Sequence, residues 1–345
     1  MDKLLLIDGN AVLHRAYYAL PDWRNRSGEA TAGVYGFLSM LFKAIDELKP
    51  THLAVVFDNP EPTFRHLMYV GYQTNREKER QVSEDIWGQV EKLKIVFEKM
   101  GVPVFCVPGF EADDVIGTLA KQAVIKSFSD LTLSPSPNLG EGDGQGEVII
   151  ITGDRDLMQL VNEKVKLFMP QKGLSDGIII DEDKVMERMG VHPNQIIDYK
   201  GLVGDSSDNY PGVTGIGPKT ATHLLKEYGT IDNLYKTLVN NAPSNVSTSP
   251  LHPSPNLGEG NSSGVFKISE MVRSKLINGY EAAMLSQKLA TIRLDAPVTL
   301  EIGQCLVPSD SKATEVLLEL GYKSIIKRIT GVAPEIDDKQ TKLFE

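Results

Sequence analysis

The feature that most constrains the fold is a set of short apolar runs, each leading into an aspartate. KLLLID ends at Asp8, HLAVVFD ends at Asp58, and EVIIITGD ends at Asp154. Runs that are apolar throughout suit strands buried on both faces of a parallel sheet. Helical patterns, over roughly 31–49 and 84–101, separate these runs. The alternation is typical of βαβ units and predicts an α/β fold with the three aspartates at the carboxyl edge of its sheet.

The second half of the chain is predicted to be mainly helical. Three short helical patterns close at Gly190, Gly204 and Gly229, and glycine is favoured just beyond a helix end. Later helices are expected over roughly 267–292 and 311–329. The chain therefore combines an α/β part with a helical part.

These patterns predict two domains and a tail. Residues 1–180, which include a further short strand at PVFCVPG, form the α/β core. Residues 181–329 form the helical module, and residues 330–345 form a flexible tail.

Two stretches rich in Pro, Gly, Ser and Asn interrupt the domains, one at 131–147 and one at 241–264. They share the string PSPNLGEG, at 135–142 and at 253–260. Such a composition cannot bury a core, so both stretches are expected to be disordered. We interpret them as one inserted element copied twice, forming inert surface loops. The alternative is a binding motif.

Composition narrows the function. The two cysteines, Cys106 and Cys305, lie far apart and in no metal-ligand spacing, which fits a reducing cytoplasm and argues against structural zinc. No apolar run is long enough to span a membrane. The net charge of −10 argues at first against a nucleic-acid partner. A local site can nevertheless differ from the average charge, so the positions of the acids matter more.

Nine carboxylates in five clusters are the strongest functional signal. They are Asp8; Asp58; Glu111, Asp113 and Asp114; Asp154 and Asp156; and Asp205 and Asp208. So many acids in one cleft would repel one another unless cations neutralise them. Ligand sets made of oxygen alone suit Mg²⁺ or Mn²⁺. Two such ions can promote phosphodiester hydrolysis. A single aspartate after a strand is more often a helix cap, so the prediction rests on the clusters together.

The chain resembles the flap endonuclease, or 5′→3′ exonuclease, family, and most closely the 5′-nuclease domains at the start of bacterial DNA polymerase I. The resemblance runs from about residue 5 to about residue 329, apart from the two insertions. It rests on IDGNAVLHRAYYALP, ATAGVYGFL, VVFDNPEPTFRH, PGFEADDVIGTLAK, TGDRDLMQLV and YKGLVGDSSDNYPGVTGIGPKTA.

This resemblance implies a Rossmann-like (PIN-like) nuclease core with a helical arch that admits single-stranded 5′ ends. It also implies a helix-hairpin-helix clamp on the duplex, at about 195–235. One metal ion would be held by Asp8, Asp58 and the acids of GFEADD, with those of TGDRD nearby; Asp205 and Asp208 would complete a second site. The implied activity is 5′→3′ exonuclease or flap endonuclease cleavage during primer removal and repair, at the nucleoid.

The basic residues of the arch are a mixed match to the family. By resemblance, Arg65 in TFRH would lie near the scissile phosphate, where a guanidinium can bind two oxygens. The family continues with Tyr-Lys-x-x-Arg, which Tyr72 and Arg76 fit, but Gln73 stands in the place of the lysine. A glutamine offers only a dipole to developing negative charge. Two basic residues of REKER are candidate substitutes, or belong to a solvated helix face: Lys78 and Arg80.

The segment GVTGIGPKTA, at 212–221, is a predicted DNA contact. It is not a nucleotide-binding P-loop, because Pro218 separates the last glycine from the lysine. Proline suits the first turn of a helix, and exposed N–H groups there can hold a phosphate. A glycine turn between helices also needs no ligand. The resemblance adds K⁺ as a candidate ion in this turn. The candidate DNA-binding residues are Gly215, Gly217, Lys219 and Thr220.

Two further features stay open from the sequence. Arg15, Tyr17 and Tyr18 either contact a splayed strand or belong to the core of the first helix. The tail string Gln340-Thr-Lys-Leu343-Phe344 resembles the short Gln-x-x-Leu-Phe peptides with which bacterial replication proteins bind the sliding clamp.

The predicted function is a free-standing, monomeric 5′ nuclease acting on DNA flaps or ends and on RNA–DNA primers. One alternative is a catalytically weakened DNA-structure binder, in which Gln73 marks lost chemistry. A second is a small RNA-cutting nuclease of the PIN type, which the segment 212–221 and the arch region argue against.

Overall fold

The structure is a computed structural model that describes residues 2–24, 28–74, 80–125, 146–171, 177–240, 268–332 and 334, with side chains omitted at 80–83. Its contacts divide the chain into two compact units. The sheet unit comprises residues 1–194 together with 292–345, and the helical unit comprises residues 195–291. None of the helices in the described part of the chain is long and apolar enough to cross a membrane.

A six-stranded mixed sheet forms the centre of the sheet unit. Its strands are β1 (Lys3–Asp8), β2 (His52–Val56), β3 (Val104–Phe105), β4 (Glu147–Ile151), β5 (Val165–Pro170) and β6 (Gly177–Ile180). The strand order is β3-β2-β1-β4-β5-β6, and all pairs are parallel except the antiparallel pair of β5 with β6. The predicted α/β fold with a parallel sheet is therefore confirmed, with one antiparallel strand at its edge.

Six helices of the sheet unit precede the helical unit in the chain. They are α1 (Gly9–Ala19), α2 (Ala32–Leu48), α3 (Phe64–Met68), α4 (Arg80–Met100), α5 (Ala112–Ile125) and α6 (Glu182–Met189). The core between helices and sheet contains the fully buried Phe37, Phe57 and Phe97. Because the central strands are apolar at nearly every position, only their ends present polar side chains.

In the part of the helical unit that the structure describes, residues 195–240 and 268–291, there are five helices and one short hairpin. Its elements are α7 (Ile196–Val203), β7 (Gly204–Asp205), β8 (Tyr210–Pro211), α8 (Pro218–Tyr228), α9 (Ile231–Asn240), α10 (Glu270–Asn278) and α11 (Tyr280–Ala290). The pattern over 267–292 thus contains two helices, which meet at Gly279. The backbone packs closely where Gly212, directly after β8, meets the end of α7, since a Cβ on Gly212 would lie 2.2 Å from the carbonyl carbon of Val203.

The chain returns to the sheet unit after the helical unit. The returning segment includes α12 (Asp310–Glu319) and α13 (Lys323–Thr330). Backbone N–H groups of Ala296 and Leu300 donate to the side chains of Thr118 (3.1 Å) and Gln122 (2.8 Å) on α5. These bonds place residues 292–332 with the sheet, whereas the sequence analysis assigned 292–329 to the helical module and placed the boundary at residue 180.

Several elements were not predicted from the sequence, among them β5, β6, α3 and α9. No acidic residue directly follows β5, and β6, although Asp181 follows it directly, pairs with β5 in the antiparallel sense. The helix α9 follows α8 after only Gly229 and Thr230, so the two patterns run together in the sequence.

Candidate active site at the carboxyl edge of the sheet

The acids that follow β1, β2 and β4 converge because these strands are neighbours in parallel register. Asp8 pairs with Val56, and Ile7 pairs with Ile151. The residues directly beyond the three strands therefore leave the sheet at one edge.

Two hydrogen bonds fix the carboxylate of Asp8, which is buried and caps α1. Its Oδ1 accepts from the backbone N–H of Ala11 (3.0 Å), and its Oδ2 accepts from the hydroxyl of Thr152 (2.7 Å). Aspartate is among the favoured helix caps. The capping geometry explains how the chain turns from β1 into α1 while it presents a carboxylate at the sheet edge.

Asp58 is held by two further bonds. Its Oδ1 accepts from the backbone N–H of Ala112 (2.8 Å), which attaches the start of α5 to the end of β2. Its backbone N–H donates to the side-chain oxygen of Asn10 (2.9 Å), which joins the loop after β2 to α1. Asn10 was not among the predicted site residues, although its place two residues after the first strand acid, in the string IDGN, was a usable signal.

The third strand end is organised around Thr152. Its Oγ1 accepts from the backbone N–H of Asp154 (2.9 Å), and Oδ1 of Asp154 accepts from the backbone N–H of Asp156 (2.8 Å). Both acids are half-buried, and Asp156 begins a short 3-10 helix. Thr152 was also missed by the sequence analysis, because a threonine at a strand end is ordinary in composition.

The acids at the sheet edge also interact through their charges, which shift the pKa values of Asp8 and Asp113. Burial raises the pKa of Asp8 to about 7, against the opposing hydrogen bonds from Ala11 and Thr152. Burial and the neighbouring charges of Asp154 and Asp8 hold the pKa of Asp113 well above that of an ordinary aspartate. Among the described residues, neither Asp8 nor Asp113 has an ion pair with a lysine or arginine. The acids around Asp8 and Asp113 therefore repel one another when they are ionised.

Asp114 lies in a different environment from Asp113. It is fully buried, and it forms a two-pronged ion pair with the buried Arg65, at 2.7 Å to Nη1 and 2.9 Å to Nη2. It also accepts from the backbone N–H groups of Arg293 (2.8 Å) and Glu111 (3.2 Å). With four donors, Asp114 is saturated by protein groups, and its predicted role as a metal ligand receives no support from this geometry.

Glu111 is bound to the segment that leads towards the predicted arch. It accepts from the hydroxyls of Thr63 and Tyr72, both at 3.2 Å, and lies 3.2 Å from Nη1 of Arg65. The structure thus places Arg65 beside Glu111 and Asp114, and Tyr72 beside Glu111, while their predicted catalytic roles stay predictions. Gln73 follows in a left-handed turn with φ of 54°.

Several predicted residues lie outside the described part of the chain. The list comprises Arg76, Lys78, the side chain of Arg80, both PSPNLGEG insertions, and the tail residues Gln340, Leu343 and Phe344. The arch and the clamp-binding peptide therefore stay predictions.

In the helical unit, Asp205 interacts with Lys200 and Ser207. The buried Lys200 of α7 lies 2.6 Å from Oδ2 of Asp205, and Ser207 donates to Oδ1 through its backbone N–H (2.7 Å) and its hydroxyl. Burial disfavours the charge of Asp205, but these partners outweigh it and hold the pKa of that carboxyl below its usual range. Asp208 is half-buried in the turn between β7 and β8.

The predicted DNA-contacting turn has the expected local structure. Gly215 has φ of 80°, Gly217 caps α8, and Pro218 is its first residue. Lys219 is exposed and Thr220 half-buried. The start of α8 therefore presents backbone N–H groups beside a lysine.

Of the three α1 residues whose role the sequence left open, one packs against the core and one is exposed. Tyr17 packs against the core and donates to Asp85 (3.2 Å), whereas Tyr18 is 61% exposed. Arg15 donates to the carbonyl oxygen of Gln171 (2.6 Å).

The geometry defines a carboxylate-lined edge on an α/β sheet, and comparison with known proteins gives the class of the protein. The model of the 5′-3′ exonuclease N-terminal resolvase-like domain matches residues 3–190, and that of the 5′-3′ exonuclease C-terminal SAM fold matches residues 191–313. The chain belongs to the 5′-3′ exonuclease family of nucleases.

Related sequences and folds agree with this assignment. DNA polymerase I of Bacillus caldotenax is 35% identical over 99% of this chain, which spans 34% of that protein. The chain thus covers about a third of the length of the curated relatives it matches. The fold is similar to that of the bacteriophage T5 D15 flap endonuclease (TM-score 0.59, 17% identity, 96% of this chain and 100% of that one). It is also similar to the catalytic core of Rad2 (TM-score 0.53, 16% identity, 98% and 91%).

The buried pair of Arg65 and Asp114 yields a stability prediction. Removal of one partner from a buried ion pair leaves an unpaired charge and costs about 3–5 kcal/mol. We expect Arg65→Met and Asp114→Leu each to lose that amount of unfolding free energy in urea denaturation. The double variant should lose less than the sum of the two.

The control for this cycle is Lys49→Ala, because the ion pair of Lys49 with Asp46 is exposed on both sides. Exposed pairs contribute little, so this variant should unfold like the wild type. An Arg65→Met variant as stable as Lys49→Ala would contradict the structural role of the buried pair.

The raised pKa values predict how stability depends on pH without metal. An aspartate in the unfolded chain has a pKa of about 4. The folded state holds protons on Asp8 and Asp113 to higher pH, so in EDTA the unfolding free energy should fall as the pH rises from about 4 through 7. Asp113→Asn should therefore be stabilising at pH 8 and nearly neutral at pH 4. Asp183→Asn, at an exposed acid of α6, is the control; equal effects of both variants at pH 8 would refute the prediction.

Proposed function

We propose that the chain hydrolyses phosphodiester bonds at the 5′ ends and 5′ flaps of DNA with the help of two divalent metal ions. The observation that carries this proposal is the meeting of Asp8, Asp58, Asp113 and Asp154 at one sheet edge, where burial and the neighbouring acids raise the pKa values of Asp8 and Asp113. Family membership supports a 5′-3′ nuclease activity. Two structures with a similar fold support the substrate and the metals, since one is the T5 D15 flap endonuclease with DNA and metal ions and the other is the catalytic core of Rad2 with a DNA substrate.

The residues at this edge fit Mg²⁺ or Mn²⁺. The ligand atoms offered are carboxylate oxygens, which hard divalent ions prefer. Burial and mutual repulsion raise the pKa values of Asp8 and Asp113, and a bound cation would reverse this effect. Asp8, Asp58, Asp113 and Asp154 would hold the first ion, with Asp156 and Glu111 beside them. By the family sequence pattern, Asp205 and Asp208 are proposed for the second.

Divalent ions at such a site supply a nucleophile at neutral pH and stabilise the charge on the leaving oxygen. The chain contributes rigid placement of its carboxylates. Asp8 and Asp58 are each fixed by a backbone N–H of a following helix, from Ala11 and Ala112. Fixed ligands need no reorganisation when negative charge develops, and this is the main advantage of a preorganised site.

The described residues offer little positive charge for the scissile phosphate. Arg65 could approach a phosphate only by leaving or sharing Asp114, and Gln73 carries no charge. This lack of positive charge favours the second candidate function, a DNA-structure binder with weakened catalysis. Flap cleavage by the wild type distinguishes the two functions. Lys78 and Arg80 stay proposed as alternative sources of charge.

The helical unit is proposed to bind duplex DNA through the start of α8. Backbone N–H groups at a helix N-terminus suit a phosphate, and the exposed Lys219 adds charge. Gly215, Gly217 and Thr220 would allow the strand to approach, and K⁺ is a candidate ion in this turn. Affinity should then fall as salt increases, because phosphate contacts release counterions.

The cellular role is proposed to be primer removal and repair, with RNA–DNA primers among the substrates and a monomer as the active form. The string Gln340-Thr-Lys-Leu343-Phe344 would tether the enzyme to a sliding clamp. Deletion of residues 339–345 should abolish binding to a purified bacterial clamp in a pull-down assay and leave flap cleavage unchanged. Equal clamp binding by both forms would remove this proposal.

Cleavage of a 5′-labelled flap duplex in Mg²⁺, Mn²⁺ or EDTA tests the main proposal. We expect cutting near the junction in either metal and none in EDTA. Asp113→Ala should lower the rate by at least about 100-fold, in the range seen when a group essential for stabilising the transition state is removed. The exposed control Asp183→Ala should cut like the wild type. If the wild type binds the flap tightly but does not cut in either metal, the DNA-structure binder is correct, and Gln73→Lys then shows whether the missing lysine is responsible.

A further inference from the structure

The hydroxyl of Thr152 forms hydrogen bonds with two acids of the candidate site. It follows β4 directly and is fully buried. Its single hydroxyl lies 2.7 Å from Oδ2 of Asp8 and 2.9 Å from the backbone nitrogen of Asp154. One side-chain oxygen therefore links the acids of two neighbouring strands.

The direction of both hydrogen bonds follows from chemistry. The backbone nitrogen of Asp154 can only donate, so the oxygen of Thr152 must accept that bond. The hydroxyl proton is then available for Asp8, whose ionised carboxylate can only accept. Hydrogen bonds to a charged acceptor are shorter and stronger than neutral ones. The hydroxyl thus has one orientation that satisfies both neighbours, and it donates to the carboxylate.

This arrangement leaves little rotational freedom for Asp8. The other carboxylate oxygen already accepts from Ala11 at the start of α1. With one donor on each oxygen, the plane of the carboxylate is fixed relative to both α1 and β4. The same hydroxyl fixes the backbone of Asp154, so it also sets the separation between the two acids.

We propose that Thr152 is a positioning residue that holds Asp8 and Asp154 in the geometry that binds a divalent cation. The inference rests on the proposed function, because it concerns the same carboxylates. Thr152 does not touch the cation itself. Its contribution is to orient the residues that do, and partners that orient metal ligands typically affect metal affinity or activity by about 10- to 100-fold.

The chain offers a closely matched control in Thr118. This threonine is also buried in the sheet unit, and its hydroxyl also makes two hydrogen bonds. It donates to the backbone carbonyl of Asp114 (2.8 Å) and accepts from the backbone N–H of Ala296 (3.1 Å). Replacement of either threonine by valine removes a buried hydroxyl and leaves one backbone N–H without its acceptor. Only the change at Thr152 removes a donor from a carboxylate of the site.

The experiment is a calorimetric titration of the full chain with Mn²⁺ in the absence of DNA, with flap cleavage in Mn²⁺ as a second measurement. We expect Thr152→Val to weaken Mn²⁺ binding by about 10- to 100-fold. Thr152→Ser keeps the hydroxyl and should bind close to the wild type. Thr118→Val should lose a similar amount of thermal stability to Thr152→Val but keep wild-type Mn²⁺ affinity.

The outcomes separate the two proposals. Wild-type Mn²⁺ affinity in Thr152→Val, or an equal loss in Thr152→Ser, would overturn the positioning role while leaving the nuclease proposal intact. Absence of Mn²⁺ binding and of metal-dependent cleavage in the wild type would overturn both. If Thr152→Val does not fold, Thr152→Cys replaces it, because a thiol is a weak donor of similar size. Its Mn²⁺ affinity should then lie below that of Thr152→Ser, and wild-type affinity would contradict the proposal.

Discussion

The parallel pairing of β1 with β2 on one side and with β4 on the other is the interaction on which the rest of the structure depends. Parallel strands joined by crossover helices end at the same edge, so residues far apart in the chain arrive together. Asp8 at the end of β1 is then flanked by Asp58 and Asp154. A slip of one residue between β1 and β4 would turn every side chain of the slipped strand to the opposite face and separate these acids.

Mutual repulsion of acids at one edge opposes folding. Some of these acids are paired with cationic or N–H groups of the protein, and others are not. Asp114 is compensated by Arg65 and by two backbone N–H groups, and it joins α3, α5 and the returning segment near Arg293. Asp8 and Asp113 have no such counter-ion among the described residues, and burial together with neighbouring acids raises their pKa values. Two neighbouring residues of one helix therefore differ in environment: Asp114 is paired with an arginine, whereas Asp113 lies among other acids, where we propose that a cation binds.

The sequence contained the strand-end acids and the α/β alternation, because both depend on local pattern and on a general property of parallel sheets. It could not separate Asp114 from Asp113, since that difference arises from the position of Arg65, 49 residues away. Thr152 and Asn10 were missed for a related reason: their roles are hydrogen bonds to groups on other strands or helices. The strands β5 and β6 were missed as well, and β6 pairs with β5 in the antiparallel sense, which the pattern of parallel strands does not predict. Residues 292–332 joined the sheet through backbone bonds that no composition can reveal.

The return of the chain to the sheet unit has a consequence for the order of folding. The helical unit is a continuous stretch, residues 195–291, whereas the sheet unit is completed only by residues that follow it. During synthesis the six strands leave the ribosome well before α12 and α13, which cover part of the core beside α2 and α4. Until then, apolar surface of these two helices stays exposed, as in the aggregation-prone intermediates of larger proteins. Contacts of such high sequence separation also slow folding. A chain shortened before about residue 330 would therefore lack part of its core, even though all the acids of the site were present.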